Sequence, residues 1–244
     1  MPFAQTETGL QLPPGFTAIG LRELGDAFAT ATALTAEKGA GTLVWTRRFD
    51  LVEVAVVLEP GEPLSTARRA IFAGMNAAAD ALATYCPPEK PVVFAWPDII
   101  LLDGGLIGGM RLAWAEGADE NEPPDWLVLG LMMRLMMHAG PASRDRTSLE
   151  AEGFELLEPR ELIGSFARHL MTHFHTWQQD GFRQIGADYL ARLSPEKGTR
   201  TGIDHNGDLL IHRIGKPKAA ERRALLPSLA ACGWLDRQTG EPLI

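Results

Sequence analysis

The chain has 244 residues, 45% of them hydrophobic and 22% charged, with a formal net charge of −8. That is the composition of a soluble globular protein, long enough for one large domain or one domain with a small companion. The acidic balance disfavours a general grip on nucleic acid, which needs clustered Lys and Arg, and no apolar run reaches the ~20 residues that span a bilayer.

The first fifteen residues, closed by Pro13-Pro14-Gly15, read as an irregular arm with neither the basic start nor the apolar core of a signal segment. Leu24, Phe28, Ala31 and Leu34 recur at helical spacing, which predicts a helix from Leu21 to Ala36, ended by Gly39-Ala40-Gly41. Thr42-Leu43-Val44-Trp45 predicts a strand. A short polar connection follows, Thr46-Arg47-Arg48-Phe49-Asp50. The nearly continuous apolar run Leu51–Leu58 predicts a strand buried on both faces. Ser65 is a candidate N-cap for an Ala-rich helix to Tyr85, which Pro87-Pro88 stops.

Val92–Trp96 predicts a further strand. Ile99–Leu102 and Leu106–Trp114 form a hairpin around Asp103-Gly104-Gly105, whose residues tolerate the backbone angles of a tight turn. After a polar loop comes a strand at Trp126–Met133, then a helix from Glu158-Pro159-Arg160 to Gln179 and a shorter one over Ala187–Leu193. Beyond Ser194 the period returns to that of strands, with a hairpin through His205-Asn206-Gly207. The basic tail from Lys216 adds a short helix and a Trp234 anchor. The expected organisation is a domain at 1–194 and a small β-containing module at 195–244.

Several residues could carry chemistry. His169, His173 and His175 have ligand-like spacing on a helix, but no cysteine or Glu-x-x-His pattern joins them, so spare histidines on an amphipathic face are the better reading and no metal is expected. Cys86 and Cys232 are too few and too far apart for a disulfide framework, which makes a reduced cytoplasm the expected location. Asp204–Asp208 lacks the later ligands of a calcium loop. Gly108-Gly109 lies inside a strand, where glycine marks close approach of the backbone to something. Met132, Met133, Met136 and Met137 read as core filling, with an adaptable pocket wall as second choice.

One stretch, Phe94-Ala95-Trp96-Pro97-Asp98 through Gly108-Gly109-Met110-Arg111, resembles the central hairpin of the biotin– and lipoate–protein ligase family. That pattern is Lys-Trp-Pro-Asn-Asp, a hydrophobic strand, a turn and Lys-Leu-x-Gly. Further segments fall in the family's order: Val56–Pro60, Leu129–Arg134, Thr147-Ser148-Leu149, His175–Phe182 with Tyr189-Leu190, and Gly202–Leu210, which is similar to the hairpin of the small C-terminal barrel of biotin ligases. The resemblance implies an α+β fold, with a mixed, mostly antiparallel sheet and packed helices. It also implies an apolar carboxylic acid as substrate (biotin, lipoate or octanoate), ATP for its activation as an acyl-adenylate, and a biotinyl or lipoyl carrier domain as acceptor. A homodimer is expected on the same ground, and neither nucleic acid nor a membrane.

Three departures bear on that chemistry. Both family lysines are missing: Ala95 stands for the first and Gly105 or Leu106 for the second. The connection at 46–50 has no glycine with which to wrap a phosphate closely. The strand that in the family ends Gly-x-Gly-x-Asn reads Gly130-Leu131-Met132-Met133-Arg134. Arginines remain on the family's site elements, and arginine clamps carboxylate and phosphate in a bidentate manner. The candidate ligand-binding residues are therefore Arg47, Arg48, Trp96, Pro97, Asp98, Gly108, Gly109, Arg111, Gly130 and Arg134. A bland alternative pairs the arginines with Asp50, Glu53 and Asp98. Two functions follow: a protein that binds a small carboxylic acid or acyl-adenylate with the family's ligation site degenerate, or an active ligase or acyltransferase in which arginines replace the lysines.

Overall fold

The computed structural model describes residues 9–87, 89–137, 145–154, 157–194, 196–215 and 220–243. The first half of the expected arm, Pro88, the start of the expected module at 195 and Lys216 with the three residues after it lie outside these. Seven strands form one sheet in the order β1-β2-β3-β7-β6-β5-β4. They are β1 (Thr17–Leu21), β2 (Thr42–Thr46), β3 (Leu51–Leu58), β4 (Val92–Ala95), β5 (Ile99–Leu102), β6 (Gly105–Trp114) and β7 (Leu127–Arg134). Only β1 and β2 pair in parallel; the other neighbours are antiparallel. This is the α+β architecture expected from the sequence.

Helices cover both faces. On one side lie α3 (Ala70–Tyr85), α4 (Pro159–Asp180) and α5 (Phe182–Arg192), packed on Val52, Val54, Val56, Leu129, Leu131 and Met133. Gly74 lets α3 settle closely, since a Cβ there would stand 2.7 Å from Leu129 and Met110 side-chain atoms. On the other side α1 (Ala27–Lys38) places Ala27 and Ala31 against Val44, Ala55, Val57 and Val128. Because β3 and β7 are covered twice, they read as nearly continuous apolar runs, broken by Glu53 in β3 and Arg134 at the end of β7, rather than alternating ones. A second sheet, β10-β9-β8, comes from β8 (Thr199–Ile203), β9 (Leu209–Arg213) and β10 (Ala220–Arg223), followed by α6 (Leu225–Ala231).

The sequence-based elements need three corrections. The helix expected from Leu21 begins at Ala27: residues 17–21 pair with β2 as a strand, and Asp26 caps the helix by accepting from the Ala29 N–H at 2.8 Å. Leu24, assigned to the apolar helical face, is fully exposed in the intervening loop. The Ala-rich helix is split into α2 (Leu64–Ala67) and α3, with Pro63 rather than Ser65 at its N-cap, and Arg68 and Arg69 at the break. The short helix expected at Ala187 starts at Phe182, because Gly181 both ends α4 and opens α5. Among the described residues no helix is long and apolar enough to cross a membrane.

Candidate functional site

Strand register sorts the candidate residues by face. Residues directly opposite in an antiparallel pair share a side of the sheet. Glu53, Met132 and Gly109 form one such row, and Ala55, Gly130 and Arg111 the next. Arg134 continues the same side of β7 and stands opposite Leu51. This face points away from α3–α5. The first half of it is covered by α1; the other half is covered by a segment from the far end of the chain.

That segment, residues 232–243, follows α6 and folds as a small hairpin. Leu235 bridges Pro242, the Leu243 N–H donates to Trp234 O at 2.8 Å, and the Asp236 N–H donates to Glu241 O at 2.8 Å. The fully buried Trp234 joins Leu51 and Met132 in an apolar cluster with Ile99, Leu106 and Leu235. Its indole Nε1 donates to Asp98 Oδ2 at 3.2 Å. A Cβ on Gly109 would lie 2.6 Å from the indole and 2.4 Å from Asp98 O, so the glycine is needed where the ring lies on the strand. Asp98 is 1% exposed, and burial pushes its carboxyl up to about 7 against the opposing Trp234 hydrogen bond. Burial and then the nearby Asp98 push the Cys232 thiol up to about 11.

Two arginines close the other end of the segment. Arg48 donates from Nε to Asp50 Oδ1 at 2.9 Å, and from Nη2 to Asp50 Oδ2 and to Glu241 Oε1, both at 2.5 Å. The Asp50 hydrogen bond is the main cause of its raised pKa, with burial opposing. Arg134, 3% exposed, donates from Nη2 to Pro242 O at 2.6 Å and lies 3.9 Å from Glu241 Oε2. Burial lowers its pKa, and the charges of Glu241 and Asp50 oppose that. The Glu241 carboxylate therefore sits between two guanidinium groups, one on the β2–β3 connection and one at the end of β7.

The remaining candidates go elsewhere. Gly130 lies beneath α1, where a Cβ would stand 2.4 Å from the Phe28 ring. The Arg111 guanidinium lies 4.3 Å from the centroid of that ring and 3.8 Å from Asp26 Oδ1. Arg47 lies beside β1, its backbone N–H donating to Leu21 O at 3.1 Å. Trp96 lies on the opposite side of the sheet, stacked on Phe72 at 5.7 Å, with Nε1 donating to Ser228 Oγ at 3.2 Å. Pro97 O accepts from the buried Tyr189 hydroxyl at 3.0 Å. Gly108 answers to its neighbour strand, since a Cβ would come within 2.0 Å of Met132 O. Gly105, one of the two positions for the missing second lysine, faces Thr147, with 2.7 Å between the side chain and a would-be Cβ.

Glu53, Trp234, Glu241 and Pro242 were not among the candidates. Glu53 is buried, accepts from the Ala27 N–H at 2.8 Å, and has its pKa raised chiefly by burial. Its sequence signal is plain: it is the only charged residue in the apolar run 51–58. His169 and His173 both face Asp80, at 4.0 and 2.7 Å, and Arg192 reaches the same carboxylate at 2.5 Å. Among the described residues no group of three or more His, Cys, Asp and Glu could hold a metal ion.

Two cavities lie away from this face. One of about 740 Å³ is lined by Val57, Leu58, Met171, Phe174 and Trp177. One of about 360 Å³ lies between Arg68 of the α2–α3 break and the Asn206–Asp208 turn. Neither is lined by Arg48, Asp98 or Arg134, and neither brings a cation pair to a carboxylate-sized position.

Comparison with known proteins agrees with this architecture. A biotin protein ligase-like protein of unknown function from Silicibacter superposes with a TM-score of 0.76 at 24% identity, covering 91% of this chain and 98% of that one. Biotin protein ligase from Aquifex aeolicus superposes with a TM-score of 0.65 at 14% identity, over 85% of this chain and all of the other. A biotin–[acetyl-CoA-carboxylase] ligase of Paracoccus denitrificans is 24% identical over 222 residues, 83% of this chain and 88% of the relative. The model of the biotin/lipoate A/B protein ligase family matches residues 12–191, which contain the whole seven-stranded sheet and nearly all of the helices packed on it, and the chain belongs to that family.

Proposed function

We propose that this chain binds a small carboxylic acid, or its acyl-adenylate, on the sheet face between Asp98 and the Arg48–Arg134 pair, and that it does not carry out the family's ATP-dependent ligation. One observation carries the reading: a carboxylate, that of Glu241, already accepts from Arg48 at 2.5 Å with the Arg134 guanidinium 3.9 Å from its other oxygen. A position that binds one carboxylate between two guanidinium groups suits another. The apolar surface of Leu51, Met132 and Ile99 beside it suits an aliphatic or ring-bearing body, and Asp98 accepts an N–H from such a body as it does from Trp234.

What speaks against ligation is local. The 47–50 connection has no glycine, and the region of the second lysine is taken up by contact between Gly105 and Thr147. These residues do not form a backbone cradle for a triphosphate. The competing reading is an active ligase or acyltransferase that passes biotin, lipoate or octanoate to a carrier-domain lysine. It draws on the Paracoccus relative, named for ligating biotin to acetyl-CoA carboxylase.

Calorimetric titration with biotin, lipoate and octanoate, for the wild type and Arg134→Ala, tests the binding reading. At least one acid binds the wild type, and the variant loses about tenfold or more in affinity, the scale of a charge-assisted hydrogen bond. Equal binding by both proteins removes the arginine from the site. Incubation with ATP, each acid and an apo carrier domain, read by intact mass, tests the rest: an adduct on the carrier would replace this reading with the active one.

A further inference from the structure

The site as proposed is closed. Trp234 fills the strand surface at Gly109, and Glu241 fills the space between the arginines. We propose that residues 232–243 form a hinged strap that occupies the binding face as an internal ligand and lifts to admit an acid. The inference rests on the reading of that face as the acid site.

The strap is built to move as a unit. Its backbone hydrogen bonds are largely internal: Leu243 to Trp234, Asp236 to Glu241, and the Gly240 N–H to Asp236 O at 2.8 Å. The turn is held by the Asp236 side chain, which accepts from the Gln238 N–H at 2.7 Å. Lifting the hairpin breaks none of these. What ties it to the sheet is the Trp234–Asp98 bond, the two arginine contacts at Glu241 and Pro242, and the apolar cluster around Met132. It joins α6 through Cys232, whose φ of 44° lies in the left-handed region that a non-glycine residue seldom adopts, and Gly233, which has open space on its Cα. A sharp bend followed by a glycine is a suitable pivot.

Charge makes the exchange favourable. When the strap lifts, Arg134 exchanges its Pro242 hydrogen bond and the Glu241 charge for water, and the charge of Asp50 stays nearby. If a carboxylic acid replaces Glu241, the buried guanidinium keeps an anionic partner throughout. The indole likewise leaves an apolar surface that the body of the acid covers. A ligand without a carboxylate gains no such replacement, so strap opening selects for acids.

Cys232 reports the pivot and Cys86, beyond the end of α3, is an internal reference. Full-length protein is treated with N-ethylmaleimide and the labelling of each cysteine is followed by peptide mass spectrometry. Glu241→Gln speeds Cys232 labelling about fivefold, the scale of one partly exposed ion pair. Trp234→Ala speeds it on the order of a hundredfold, as loss of a buried indole allows. Cys86 labelling stays the same in both, which shows that the chain remains folded. Unchanged Cys232 labelling in both variants overturns the strap, whatever any acid does.

The ligand arm uses octanoate, lipoate and biotin. An acid that binds Glu241→Gln more tightly than the wild type, and speeds Cys232 labelling in the wild type, supports displacement. An acid that binds both proteins equally and leaves Cys232 unaffected overturns the strap and keeps the site. Faster labelling in the variants, with no acid binding either of them, overturns the site and with it the competition, leaving only a mobile hairpin.

Discussion

Replacing Asp98 by asparagine isolates the electrostatic cost of this face. The Asp98 carboxyl is 1% exposed, and its titration is raised by burial from 3.8 to about 7. Ionising it in the folded chain therefore costs roughly 4 kcal/mol relative to the unfolded chain. The direction follows from proton binding. Below pH 3.8 both states hold the proton and the penalty is absent. Between 3.8 and about 7 the unfolded chain releases its proton first, so stability falls as pH rises. Above about 7 the penalty is constant. The asparagine amide keeps an oxygen to accept from Trp234 and carries no charge. Urea unfolding at several pH values between 4 and 8.5, with stability taken by linear extrapolation, measures the difference. Asp98→Asn matches the wild type near pH 4 and exceeds it by about 4 kcal/mol at pH 8. Glu53 shifts in the same direction, but it is present in both proteins and cancels. A difference independent of pH would show that Asp98 is solvated in solution, and the closed strap over it would be wrong.

Three further outcomes follow from the same geometry. Gly108→Ala forces a Cβ to within 2.0 Å of a backbone oxygen of β7, which cannot yield as a side chain does, and lowers urea stability by about 3 kcal/mol. Gly109→Ala meets both the Asp98 backbone oxygen at 2.4 Å and the Trp234 indole at 2.6 Å, so it lowers urea stability as Gly108→Ala does and in addition accelerates Cys232 labelling. Burial alone would raise the Asp80 pKa, but the His173 hydrogen bond and the charges of Arg192, His173 and His169 outweigh it and hold it below its usual value. Asp80→Asn therefore costs about 2 kcal/mol at pH 7, and the loss shrinks as pH falls below 3.8 and through the depressed folded pKa, where the wild type protonates too.

The large sheet was legible because its strands carry local signals. β3 and β7 are apolar runs bounded by turn residues, and the Asp103-Gly104 turn has φ of 49° and 86°, as a two-residue hairpin requires. β1 was missed because Thr17–Leu21 includes a glycine and an alanine and gains its order only by pairing with β2 at the sheet edge. The helical phase of Leu24 with Phe28 then pulled the predicted helix too far forward. At the site, Arg48 and Asp50 are two residues apart, and their pairing was among the alternatives read from the sequence. The Glu241 half of that cluster lies 193 residues from Arg48, and Trp234 lies 136 from Asp98. Nothing periodic announces a contact of that range. Trp234 was recognisable as an anchor, but not where it anchors.

This placement changes what the missing lysines mean. Read along the chain, Ala95 and either Gly105 or Leu106 are losses of charge. In three dimensions the charge has a different address, with guanidinium groups at the β2–β3 connection and at the end of β7, one hydrogen-bonded to the Glu241 carboxylate and the other 3.9 Å from it. Burying Arg134 to 3% exposure is costly unless an anion accompanies it, and the chain supplies that anion from its own Glu241. Asp50 already answers Arg48, so the second carboxylate of the cluster is what answers Arg134, and the strap provides it while no acid is bound. The same contact that stabilises the empty protein then sets the threshold an acid must exceed, so stability of the closed form and affinity for the ligand are coupled through one glutamate. Weakening Glu241 raises affinity and lowers stability together, and a variant that moved only one of the two would separate the arginine pair from the site.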